Sequence, residues 1–94
     1  MSWRKTKEYR QWKVRVIRRD RTCVICDSHE HRHAHHIEDG SNHPEHRFDE
    51  SNGVTLCKDC HMQFHCNYKH SYRQKCTMKD WMNFFSLCEY IKTI

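Results

Sequence analysis

Apolar residues recur along this chain with two different periods. Between Thr6 and about Arg19, Tyr9, Trp12 and Val16 return at steps of three and four, and Val14 and Ile17 widen the stripe. This spacing predicts an amphipathic helix over residues 7–19 with Thr6 as its cap. Residues 31–37 then predict a short strand, Glu38 to Ser51 with Gly40 and Pro44 an exposed loop, and Gly53-Val54-Thr55-Leu56 a second strand. The Cys57-x-x-Cys60 turn leads into a helix that carries His61 and His65, so the middle of the chain predicts a β-β-α unit. Thr77-x-x-Asp80 approximates a capping box for a last helix over residues 78–91, where Trp81, Phe84, Phe85, Cys88 and Ile91 form a core-facing stripe. The expected fold class is α+β: a single domain over residues 1–94, with a zinc-stapled core over 19–66 flanked by N-terminal and C-terminal helices.

Composition makes a staple necessary. Only 36% of the 94 residues are hydrophobic, mean hydropathy is -1.10, and a domain this small gains little from its apolar core alone. Seven cysteines could supply disulfides or metal ligands. No apolar run approaches the roughly 20 residues of a membrane span, and Met1-Ser2-Trp3-Arg4-Lys5 leads into a charged helix rather than a signal segment. The expectation is a cytoplasmic chain without membrane contact. Thiols stay reduced there, so CxxC pairs beside histidines favour metal.

The formal charge is +5, from 17 Lys and Arg against 12 Asp and Glu. Residues 1–21 hold nine of those cations, against only Glu8 and Asp20. A basic stripe on a helix suits a phosphate backbone, which makes DNA the expected partner and Arg15, Arg18 and Arg19 the candidate contacts. A solvated helix face is the plainer reading of any one of them.

Two metal constellations follow. Cys23, Cys26, Cys57 and Cys60 form two CxxC knuckles, each able to give two adjacent corners of a tetrahedral structural Zn²⁺ site. Mixed ligation by Cys57 and Cys60 with His61 or His65 is the alternative. His61 and His65 lie one helical turn apart, so both imidazoles point to one side. His35 on the preceding strand is a plausible third ligand. His36 should face the other way, because the side-chain period of a strand is two, and so stay free as a base. His33 shares a strand face with His35. His29, His31, His43, His46 and His70 sit in polar surroundings and should be exposed, while Cys66, Cys76 and Cys88 read as small core residues.

These residues, Cys23-x-x-Cys26, His33-Ala34-His35-His36-Ile37, Asn52 ahead of Val54-Thr55-Leu56-Cys57, and Cys60-His61 with His65, resemble the HNH endonuclease family of ββα-metal nucleases, in its four-cysteine zinc subset. The match runs from about Arg19 to His65, and the small size is similar to that of free-standing bacteriophage HNH proteins. The resemblance implies a metal-dependent DNA endonuclease that hydrolyses phosphodiester bonds, most simply by nicking, and leaves 5′-phosphate and 3′-hydroxyl ends. It makes His36 the general base and Asn52 the family's central Asn, which braces the loop between the strands. It makes His35, His61 and His65 the ligands of a catalytic divalent cation, Mn²⁺, Co²⁺, Ni²⁺ or Mg²⁺. Many relatives carry Asp at the position of His35, and an all-imidazole set is softer than Mg²⁺ favours. The resemblance leaves room for oligomerisation or a phage or host protein partner, and for the cytoplasm of a host cell as the setting. The rival expectation is a noncatalytic zinc module that binds nucleic acid or protein.

Overall fold

The computed structural model describes residues 2–41, 43–68 and 77–93, without the side chains of residues 65–68 and 89–93. His70 and Cys76, and the side chains of His65, Cys66 and Ile91, therefore lie outside the described residues. The order of elements is a 3-10 turn Trp3–Lys5, α1 Lys7–Asp20, β1 Arg32–His36, a 3-10 turn Glu50–Asn52, β2 Gly53–Cys57, α2 Lys58–Tyr68 and α3 Met78–Thr93. The described part of the chain is thus α+β, with three α-helices and a two-stranded antiparallel sheet. None of its helices is long and apolar enough to cross a membrane.

Local chemistry starts α1. Thr6 Oγ1 accepts from the Tyr9 amide at 3.3 Å and donates to the Trp3 carbonyl at 2.7 Å, which ties the helix to the turn before it. Glu8 in the first turn and Arg18 and Arg19 in the last suit the helix dipole. The helix stops at Arg21, whose left-handed backbone (φ 67°) lets its amide close on the Ile17 carbonyl.

β1 and β2 pair His36 with Gly53, His35 with Val54, Ala34 with Thr55 and His33 with Leu56. Every residue of β2 is buried, because α1 covers one face and α2 the other. On the α1 face, Trp12 and Val16 close over Gly53, and Thr55 Oγ1 donates to the Val16 carbonyl at 3.3 Å. On the α2 face, Val54 and Leu56 join Ile37, Phe64, Trp81 and Phe84 in one apolar cluster. Phe64 meets Phe84 at 4.9 Å and Trp81 at 5.7 Å between ring centres, which is how α3 docks. Thr77 Oγ1 caps α3 by accepting from the Asp80 amide at 3.2 Å.

Two expectations need correction. Val14 does not widen the buried stripe of α1; it is 52% exposed, because a two-stranded sheet is too narrow to cover more than the Trp12 and Val16 side of the helix. The segment between the strands is not simply an exposed loop. Gly40 is buried against the Trp3 ring, Arg47 Nε donates to the Gly40 carbonyl at 2.9 Å, and the Trp12 indole donates to the Asp49 carbonyl at 2.7 Å.

Arg19 and Asp20 lock α1 onto β2. Arg19 forks onto both carboxylate oxygens of Asp20 at 2.8 and 2.9 Å and donates to the carbonyls of Glu50 and Gly53, both at 2.7 Å. Asp20 in turn accepts from the Thr55 amide at 2.9 Å. Burial alone would push the Asp20 carboxyl up, but the Arg19 fork and the Thr55 amide hold it below the usual carboxylate range.

Gly53 is the tightest point of this packing, since a β-carbon there would sit 2.5 Å from Val16 Cγ2 and 2.7 Å from Trp12 Cζ2. Gly53→Ala is expected to destabilise the fold by about 1–3 kcal/mol through overpacking. Urea unfolding followed by tryptophan fluorescence measures it; an unchanged midpoint would mean that α1 does not hold this close approach in solution.

Candidate metal centres

The four knuckle thiols converge. The Sγ atoms of Cys23, Cys26, Cys57 and Cys60 all lie within 4.8 Å of one another, with Cys26 and Cys57 at 3.6 Å. Tetrahedral zinc with bonds of about 2.3 Å separates its sulfurs by about 3.8 Å, so these residues fit a structural ion such as zinc. The backbone prepares the site. Asp27, in the left-handed region (φ 64°), lets its amide return to the Cys23 carbonyl at 2.9 Å. The Val24 amide donates to the Thr55 carbonyl at 3.0 Å and so anchors the first knuckle to β2. Cys23, Cys57 and Cys60 are buried, while Cys26 is exposed.

Without an ion, the thiols cannot all ionise together. Burial resists ionisation of Cys23, yet the amides of Cys57, Cys26 and Ile25 bring it down to about 7. Burial and then the hydrogen bonds with Cys57 and Cys23 drive Cys60 far up, and burial also raises Cys26. A divalent cation removes that repulsion, and its binding must expel protons.

The imidazoles divide between the two faces of the sheet. On the α2 face the rings of His35 and His61 are 4.9 Å apart, His33 and His61 5.8 Å, and His35 stands edge-on to Phe64 at 5.2 Å. Two imidazoles sharing one cation at about 2.0–2.1 Å would hold their ring centres about 5 Å apart, so His35 and His61 fit two corners of such a site. The backbone of His65 lies one turn beyond His61 on α2, and its side chain is outside the description. Among the described residues, the four cysteines are the group of three or more potential ligands that converges.

His36 lies on the α1 face. Its ring stacks on Trp12 at 4.0 Å with an interplanar angle of 8° and meets the edge of Trp3 at 5.4 Å. Its Nε2 is 2.8 Å from the Arg47 carbonyl oxygen. A carbonyl only accepts, so Nε2 donates and Nδ1 keeps the lone pair. Burial lowers the pKa of His36 below the ordinary imidazole value; the Arg47 carbonyl works the other way, and the Arg4 charge adds to the lowering. Asn52 is buried and binds the loop at both ends: Oδ1 accepts from the Glu38 amide at 2.8 Å, and Nδ2 donates to the carbonyls of Glu38 at 2.9 Å and His46 at 3.2 Å.

The candidate DNA contacts separate from one another. Arg19 is committed to Asp20 and two carbonyls, Arg15 reaches the Phe48 carbonyl at 3.3 Å, and Arg18 is exposed. Among the remaining histidines, His29 and His31 are exposed, His43 pairs with Glu38 at 3.3 Å, and His46 pairs with Asp49 at 3.1 Å. Cys88 packs partly buried against the apolar cluster. Sequence reasoning missed Trp3 and Arg47, which fix the surroundings of His36. Their only sequence signal is an aromatic and a cation far apart in the chain.

Cys57→Ser is expected to lose bound zinc and helical circular dichroism together, since structural zinc contributes on the order of 10 kcal/mol in small domains. Metal analysis beside circular dichroism would overturn the four-thiol site if both survived. Zinc affinity is also expected to rise more than tenfold per pH unit between about 6 and 8, because more than one thiol proton leaves on binding. Competition with a chromophoric chelator measures that slope.

No family model, curated protein or solved structure matches this chain.

Proposed function

We propose that this chain is a zinc-stapled endonuclease of the HNH type, which uses a second divalent cation to hydrolyse DNA phosphodiester bonds and leaves 5′-phosphate and 3′-hydroxyl ends. The observation that carries the reading is the placement of two consecutive histidines. His35 turns to His61 on one face of β1, while His36 turns to the other face with Nδ1 unprotonated.

His35 and His61, with His65, would hold the divalent cation, which when bound would supply charge neutralisation at the phosphate and at the departing oxygen. The rest falls to the chain. His36 takes a proton from the attacking water on Nδ1, while the Arg47 carbonyl fixes the tautomer and Trp12 fixes the plane of the ring. Its lowered pKa keeps it neutral, and so competent as a base, at pH 7. Asn52 does not move a proton in this scheme. It holds Glu38 and His46 together, and with them the loop that presents the Arg47 carbonyl.

A second reading has its own support. The packing of His36 against Trp3 and Trp12 also suits a structural histidine in a noncatalytic zinc module that binds nucleic acid or protein.

Plasmid nicking with a panel of metals separates the two readings. Mn²⁺, Co²⁺ or Ni²⁺ is expected to support nicking better than Mg²⁺, since imidazoles prefer borderline cations. His36→Gln keeps a donor for the Arg47 carbonyl but has no basic nitrogen; it is expected to retain both ions and to nick about 10²–10⁴-fold more slowly. His61→Ala is expected to lose the second ion and the activity together. If no metal supports nicking by the parent protein, the endonuclease reading fails and the noncatalytic module replaces it.

A further inference from the structure

One flank of α1 and the outer edge of β1 enclose a groove of about 1040 Å³. Arg10, Lys13, Arg18 and Arg21 line it from the α1 side and Arg32 from β1. No acidic residue among the described ones lines it. The helical spacing is regular, because positions 10, 13, 14, 17, 18 and 21 form one stripe at steps of three, one, three, one and three. Val14 and Ile17 supply its apolar floor beside the cations. None of the five cations forms an ion pair with a carboxylate among the described residues, whereas Arg19, one position away, is fully engaged with Asp20 and carbonyls. Arg32 donates to the Arg21 carbonyl, which joins the two walls at one end.

The groove also leads somewhere. Tyr9 borders it on the α1 side, and its lining also includes His33 of β1 and His61 of α2, whose ring lies 4.9 Å from that of His35. A polyanion in this groove would therefore lie against His61, one member of the imidazole pair.

We infer that this groove is the track for a nucleic-acid phosphodiester backbone, which Lys13 and Arg18 hold at its centre and which runs towards His61. The choice of polyanion rests on the endonuclease reading above. From Arg10 to Arg21 the helix rises roughly 16 Å at about 1.5 Å per residue, enough for about five phosphates of one strand at 3.4 Å along a duplex axis. The adjoining face of α1 carries Lys7 and Arg15 beside a smaller hollow of about 630 Å³, which shares Arg10 and Val14 with the groove, and serves as the internal comparison.

The test is fluorescence anisotropy of a labelled 20-base-pair DNA duplex with the zinc-loaded full chain and no added second cation, so that binding is read without cleavage. Lys13→Gln/Arg18→Gln is expected to weaken binding at least tenfold near physiological salt and to reduce the salt slope by about two. Lys7→Gln/Arg15→Gln removes the same charge and is expected to change affinity less than threefold with the slope preserved. Equal losses in both pairs, or a greater loss in the second, would overturn the track. Wild-type protein gives a check that needs no variant: bound duplex is expected to shield Lys13, but not Lys7, from acetylation by acetic anhydride, and the reverse pattern would overturn the proposal. A poly-glutamate of matched charge that displaced the duplex equally well would assign the groove to acidic proteins instead. Absence of nicking with every metal sinks the endonuclease reading and leaves these binding results standing; loss of the groove result with nicking intact sinks only the track.

Discussion

Four thiols that must share a space of less than 5 Å dictate how the rest of this chain is arranged, since Cys26 and Cys57 are 31 residues apart. Bringing them together closes a long loop, and the entropy of that closure grows only slowly with length. The loop is therefore free to carry β1 and the connecting segment at little extra cost. Cys57 ends β2 and Cys60 lies in the first turn of α2, so the second knuckle is itself the joint between strand and helix. The first knuckle docks on that joint through the Val24 amide and the Thr55 carbonyl. Cys23, Cys57 and Cys60 also belong to the apolar cluster of Leu56 and Phe64, so burial favours the same arrangement that thiolate ligation of an ion would.

With the joint fixed, the period of the sheet distributes the chemistry. β2 is buried on both faces, and β1, its one partner among the described residues, must direct successive side chains to α1 and to α2 in turn. His33 and His35 go to the α2 side with His61, and His36 goes to the aromatic pocket of Trp3 and Trp12. Two identical side chains thus acquire different environments from adjacent positions. One joins an imidazole pair suited to a cation, and the other is desolvated and held in one tautomer.

The elements were legible because their signals are local. Thr6 and Thr77 cap the helices that their positions predict, and the strand period alone separated His35 from His36. The cysteine cluster followed from ligand spacing. The width of the buried stripe on α1 was not legible, because it depends on how many strands lie underneath, and Val14 was counted inside when it stands outside. The ordering of the segment after β1 was hidden for a related reason: Gly40 and Arg47 of that segment meet Trp3 of the N-terminal turn only once the chain has folded back on itself. Charge was equally silent about roles. Arg18 and Arg19 read alike in sequence, yet one faces solvent and the other satisfies Asp20 and two carbonyls.

α1 consequently has two chemically different flanks. Its inner stripe places Trp12 flat against His36, and its next residue, Lys13, opens onto the basic groove with its ammonium 4.6 Å from the centre of the Tyr9 ring. Tyr9 itself lies nearly parallel to both Trp12 and His36, at 5.9 and 6.0 Å between ring centres. Lys13 therefore adjoins the same aromatic stack that fixes the imidazole plane. At the other end of α1, Arg19 and Asp20 tie the helix to Gly53 and Thr55 of β2, so the aromatic stack and this polar fork together fix how the helix lies on the sheet.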